Sequence, residues 1–164
     1  MIRKSTALWI MILVTAVAMG LVSAAKRKAP TSAALADTLK QIISDAYDFS
    51  RPGVVERMNA LYAPTGQVIS ASGGTIIATR DSLQAGIARF WDNVGRNMKN
   101  PVWKWGDVFV EPIGIDAAVL TASWSIPHIA PDGQSHVISG AWTAVFRRTP
   151  AGWKIVQEHL STGG

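Results

Sequence analysis

The chain has 164 residues, with 16 Lys and Arg against 11 Asp and Glu, and it contains no cysteine. That length suits one domain, and the missing thiols exclude disulfides, a cysteine nucleophile and cysteine-based metal sites. The basic balance is local: Arg3, Lys4, Lys26, Arg27 and Lys28 precede the rest, in which 11 positive side chains face 11 carboxylates. A formally neutral body lacks the basic footprint of a nucleic-acid-binding domain, so no nucleic-acid partner is expected.

Residues 1–25 read as a secretory signal peptide. Arg3 and Lys4 precede an uncharged apolar run over residues 7–22, and the small residues of "VSAA" follow. Cleavage is expected after Ala24 or Ala25, giving a periplasmic or secreted protein. The run is shorter than the roughly 20 residues of an ordinary membrane span. Contact with a membrane is expected only if the leader is retained as an anchor. Residues 26–32 form a basic, polar linker, and residues 33–162 form the domain.

Leu35, Leu39, Ile42, Ile43, Ala46 and Phe49 recur at helical spacing, with Thr31 or Ser32 as the cap. "SRPG" breaks this helix, and a short second one follows with Val54, Val55, Met58, Leu61 and Tyr62 on one side. A short strand is expected around Val68 to Ser70, ending in the turn "SGG". Asp81 with Gln84 resembles a capping box and opens a third helix striped by Leu83, Ile87, Phe90, Trp91 and Val94. After Pro101 the period becomes two, and four long antiparallel strands are expected. Helices segregated from strands define an α+β class, with the helices on one face of the sheet.

The last hairpin, centred on Pro150 and Ala151, would pair Phe146 with Ile155, Ala144 with Gln157 and Trp142 with His159. That face begins apolar and becomes polar at Gln157 and His159, which is the pattern of a pocket mouth. A tight turn at Asp132-Gly133 conflicts with this pairing, because it sets Trp124 on the opposite face from Trp142. A bulge near Pro127 would resolve the conflict. A one-residue slip in the last hairpin would instead place Thr143 beside His159.

The stretches "ALYAPTGQVISASGGTI", "DSLQAGIARFW" and "SGAWTAVFRRTPAGWKIVQEHLS" resemble the SnoaL-like branch of the nuclear transport factor 2-like superfamily, which includes ketosteroid isomerase. The resemblance spans roughly Ala33 to Ser161, nearly the whole of the expected mature chain. It implies a cone-shaped, curved antiparallel sheet wrapped around three N-terminal helices, open at one end and commonly paired into a homodimer through the sheet. It also implies a small apolar ligand in the cone. The position of the isomerase's general-base Asp falls on Ser70, and a hydroxyl without an adjacent base cannot abstract a carbon-bound proton at neutral pH.

The expected function is therefore binding of a small apolar molecule, without established catalysis, in a cavity lined by Tyr47, Tyr62, Trp91, Trp124, Trp142, Gln157 and His159. His159 is the candidate catalytic group, since an imidazole titrates near pH 6.5. A lyase or isomerase using His159, and a pure dimerisation or assembly module, are the alternatives. Glu158 has the opposite strand parity and is assigned no role. Asp107 and Glu111 share a face and read as a solvated surface. No cofactor or metal is expected; His128 and His136 flank the Asp132-Gly133 turn but lack the spacing of a ligand motif.

Overall fold

The computed structural model describes residues 31–163. The expected leader, its expected cleavage site and most of the expected linker lie outside them. Among the described residues no helix is long and apolar enough to cross a membrane.

Helix α1 spans Ser32–Ala46 and is capped by Thr31, whose hydroxyl accepts from the Ala34 amide at 3.3 Å. It buries Leu35, Leu39, Ile43 and Ala46, the stripe set by the helical period. Gly53, at φ 75°, makes the left-handed turn into α2, Val54–Ala60. Arg57 binds this corner together by donating to the main-chain carbonyls of Asp45 at 3.0 Å and Arg51 at 3.2 Å. Two short strands follow, β1 at Ile69–Ser72 and β2 at Thr75–Ile77. They close on Gly73 and Gly74, both at positive φ, as a tight primed turn requires. The sequence reading anticipated the turn but only one of its strands. Helix α3, Arg80–Asn93, is capped by Thr79, which accepts from Ser82 N at 3.2 Å. The cap thus lies two residues before the expected Asp81.

Strands β3 (Lys104–Pro112), β4 (Ala117–Ile129), β5 (Ser135–Thr149) and β6 (Gly152–Thr162) complete one sheet, ordered β2-β1-β6-β5-β4-β3. The expected all-antiparallel sheet is corrected in one detail: β1 runs parallel to β6. The fold is α+β, with three helices packed on one face of a curved, unclosed sheet. Leu39 and Ile43 of α1 are fully buried, as are Leu120, Ala144, Phe146 and Ile155 of the sheet.

Register decides what that face presents. The β4–β5 hairpin turns through Pro131, Asp132 and Gly133, closed by Ala130 N to Gln134 O at 2.9 Å. This three-residue loop, with Gly133 at φ 87°, shifts the pairing by one from a two-residue turn. Trp124 therefore faces Gly140, and Ala122 faces Trp142. Both indoles share the helix-covered face, and the conflict in the sequence is resolved at the loop. Pro127 pairs in register with Val137, beyond the end of the β3–β4 ladder at Lys104 and Ser125, where its missing N–H breaks no pairing.

The last hairpin begins with Arg148 opposite Trp153 and, as expected, Phe146 opposite Ile155. The pairing then jumps to Val145 opposite Gln157, which leaves Val156 as an extra residue. Side chains alternate along a strand, so one extra residue reverses every face beyond it. Glu158 and Leu160 turn inward. Gln157 and His159 are exposed on the outer face, with His159 opposite Thr143. This corrects the expected orientation of Gln157 and His159.

Gly140 is the tightest point of this arrangement. A Cβ there would lie 1.9 Å from the Ser161 carbonyl oxygen and 2.9 Å from Trp124 Cζ2. Gly140→Ala is expected to cost about 1–3 kcal/mol in chemical denaturation. An unchanged midpoint would show that the strands do not approach so closely.

Candidate functional site

Between the helices and the sheet lies a cavity of about 430 Å³, within the range of small-molecule sites. Its walls are apolar: Met58, Leu83, Ile87 and Phe90 from the helices, and Trp124 and Ile126 from the sheet. Ser72, Val94 and Thr162 line it too and are solvent-exposed, so they mark its mouth.

The closed end is polar. Glu158 is 7% exposed. Its Oε1 accepts from the Tyr62 hydroxyl at 2.8 Å and from Ser70 Oγ at 2.7 Å. Its Oε2 accepts from Trp142 Nε1 at 2.8 Å. Each donor is delivered by a different piece of backbone. Ser70 pairs directly with Glu158 across the parallel β1–β6 ladder. Trp142 stands one step diagonally away on β5, beside Ala144, the direct partner of Glu158. Tyr62 follows α2 and is fixed by main-chain bonds on both sides, Ala63 N to Ile155 O at 2.9 Å and Ile155 N to Leu61 O at 2.8 Å. Arg80 holds the same loop from α3 by donating to Ala63 O at 2.6 Å.

Tyr47 completes the floor from the end of α1. Its ring lies 4.2 Å from Trp103 and edge-on to Trp105 at 5.4 Å. It lines the same cavity as Tyr62. Burial raises both hydroxyls well above the usual tyrosine range, and the nearby Glu158 charge adds to the effect. Trp103 stacks on Trp124 at 4.9 Å and 24°. Among the described residues, the buried indole nitrogens of Trp103, Trp105 and Trp124 find no hydrogen-bond partner.

Of the residues singled out in the sequence, Tyr47, Tyr62 and Trp124 line the cavity. Trp142 stands behind Glu158 and contributes its N–H. Trp91 lies outside, edge-on to Phe49 at 5.5 Å. Gln157 and His159 lie on the other side of the sheet. His159 is therefore separated from the cavity by the strand that carries it. Ser70 does reach the cavity, but its hydroxyl is given to Glu158 rather than standing alone. Asp107 and Glu111 are exposed. His128 and His136 pair across β4 and β5 with ring centroids 5.3 Å apart. His128 Nδ1 lies 2.9 Å from Ile126 O. Among the described residues no cluster of three potential metal ligands forms.

Glu158 is the residue that sequence reasoning missed. Its signal was modest: it is the only carboxylate in the last strand, set among apolar and neutral neighbours.

The architecture is that of a nuclear transport factor 2-like cone, and solved structures share this fold. A nuclear transport factor 2-like superfamily protein from Salmonella enterica serovar Typhimurium superposes with a TM-score of 0.63 at 17% identity, over 80% of this chain and 93% of that one. A candidate aromatic ring hydroxylase from Novosphingobium aromaticivorans gives 0.61 at 22%, over 82% and 92%. A candidate dehydratase of the same superfamily from Streptomyces avermitilis gives 0.58 at 22%, over 80% and 94%. These identities establish the fold alone. The SnoaL-like domain model matches residues 39–163, and the chain belongs to that family. Among curated proteins, none matches the chain.

Two predictions follow from the floor. Tyr47 and Tyr62 are the chain's two tyrosines, so phenolate absorbance reports on nothing else. The unfolded chain ionises near pH 10, the ordinary value, while both folded hydroxyls are raised above it. The folded state then holds more protons, so this contribution to stability is complete below pH 10 and is lost as pH rises beyond it. Phenolate should appear only with cooperative unfolding. Ordinary titration near pH 10 in an intact fold would contradict the burial. Separately, Glu158→Ala strands three buried donors and should lower stability by roughly 2–4 kcal/mol. His159→Ala should stay within about 0.5 kcal/mol. Equal effects in denaturant melts would contradict the assigned faces.

Proposed function

We propose that the protein binds a small, predominantly apolar molecule in this cavity, oriented by the Glu158 floor. Tyr47, Tyr62 and Trp124 contact the ligand, and Trp142 acts on it only through Glu158. One observation carries the reading: a buried carboxylate, held by three donors, closes an otherwise apolar void. A domain serving only assembly needs no such void, and filling it would gain packing energy. The SnoaL-like fold commonly binds small molecules, which supports the same choice.

A second reading, a lyase or isomerase, is favoured by a carboxylate lining the cavity beside two tyrosine hydroxyls. Such an enzyme would use Glu158 rather than His159. We further propose that the chain is exported, with its leader removed. Self-association through the outer face of the sheet is also part of this reading. Thr121, Ser123 and Ser139 make that face weakly charged, and they are exposed, as suits an isologous contact.

The test is titration with Nile red, a neutral apolar dye whose emission reports its surroundings. Wild type should bind it. Ile138→Trp, which adds bulk to a half-buried lining position, should weaken binding at least about tenfold, or 1.4 kcal/mol. His159→Ala should bind like wild type. Unaltered binding by Ile138→Trp, or a marked loss in His159→Ala, would place the dye elsewhere and defeat the reading.

A further inference from the structure

We propose that the cavity selects a protonated amine, or another compact organic cation, carried on an apolar body. The inference rests on the binding role given to the cavity above and specifies the chemistry of its ligand.

The first ground is the direction of the hydrogen bonds. An indole N–H can only donate, so Oε2 of Glu158 is an acceptor. Tyr62 and Ser70 both direct their hydroxyl protons at Oε1. Both carboxylate oxygens therefore accept, as an ionised carboxylate does. A carboxylate offers about four acceptor positions, and three donors leave one open on Oε2. With their protons committed to Glu158, the hydroxyls of Tyr62 and Ser70, which line the cavity, can only accept further hydrogen bonds. The floor accepts hydrogen bonds from a ligand. A ligand carbonyl would meet oxygen lone pairs at each of these floor groups, and the donors open to it are the Tyr47 hydroxyl and the unpartnered indole N–H groups of Trp103 and Trp124 in the walls, away from the carboxylate's own hydrogen bonds.

The second ground is the missing counter-charge. The ion pairs of the described residues join Arg51 to Asp45 and Asp48, and Arg96 to Asp92. None involves Glu158. Among the described residues no Lys, Arg or His lines the cavity. Arg80, the basic residue on the neighbouring loop, is engaged with the main-chain carbonyls of Tyr62 and Ala63. A buried negative charge without a partner is costly, and a cationic ligand supplies the partner.

The third ground is the wall. Tyr47, Tyr62, Phe90, Trp103 and Trp124 line the same cavity as the carboxylate. Aromatic faces attract cations, most strongly where water is excluded. Aromatic walls and a carboxylate in one cavity thus offer an ammonium head two independent interactions, while the apolar remainder of the cavity takes the ligand's body.

The experiment compares 2-phenylethylamine with 2-phenylethanol, which share size and shape, by calorimetric titration of the full chain at neutral pH. Nile red competition reports occupancy of the cavity. The amine should displace the dye and bind at least about tenfold tighter than the alcohol, as a charge-assisted hydrogen bond exceeds a neutral one. The preference should persist in high salt, where a surface ion pair is screened. Glu158→Gln should reduce the amine to the affinity of the alcohol. If that variant does not fold, the wild-type comparison alone decides. Equal binding of the two probes, or a preference abolished by salt, overturns the cationic ligand and leaves the cavity reading standing. Failure of Nile red and both probes to bind overturns both.

Discussion

A carboxylate cannot be taken out of water without replacement for its hydration. In this fold the replacement comes from three directions at once, and the surrounding structure is arranged to deliver it. Ser70 arrives on β1, which joins the sheet parallel to β6 and in register with Glu158. Trp142 arrives on β5. Tyr62 arrives from the turn after α2, which adds itself to the edge of the sheet through Ile155. Removing the β1–β6 or the β5–β6 pairing would leave both the carboxylate and a buried donor short of a partner. The Glu158 cluster therefore couples helix placement to strand register, and it fixes which end of the cavity is polar.

The aromatic residues answer a different constraint, keeping a void open beneath packed helices. Long flexible side chains could fold into the space. Stacked rings resist that, since Trp103 is held simultaneously by Tyr47, Phe49, Trp105 and Trp124. The scaffold carries a cost, because three indole N–H groups are buried without partners among the described residues. Each such group costs about 1–3 kcal/mol. Fully satisfied side chains would have packed a more stable core with less room in it.

Much of the fold is legible in the sequence because it depends on local periodicity. The stripe from Leu35 to Ala46, the alternation after Pro101 and the break at "SRPG" each follow from side-chain spacing. Thr31 is readable as a cap for the same reason. What escapes is non-local. Val156 is an ordinary strand residue, and nothing in "WKIVQEHLS" marks it as the extra one. Its bulge is settled by pairing with β5 and by the donors waiting for Glu158. Parity counted from the hairpin tip is thus right at Trp153 and Ile155 and reversed at Gln157, Glu158 and His159. The loop at Pro131 to Gly133 has the same character, since one residue of loop length decides whether Trp124 and Trp142 share a face. Tyr47 and Tyr62 were recognisable as cavity candidates, but the carboxylate joining Tyr62 to Ser70 was not.

The floor of the cavity depends on the Trp142 indole N–H being buried against an ionised Glu158. Hydrogen exchange of tryptophan indole protons, followed by nuclear magnetic resonance, reads this contact directly. The Trp142 signal should be protected in the native state and should shift on Glu158→Gln, while that of Trp153, at the far end of β6, stays in place. Rapid exchange of the Trp142 proton with solvent, or a signal indifferent to Glu158, would contradict the account.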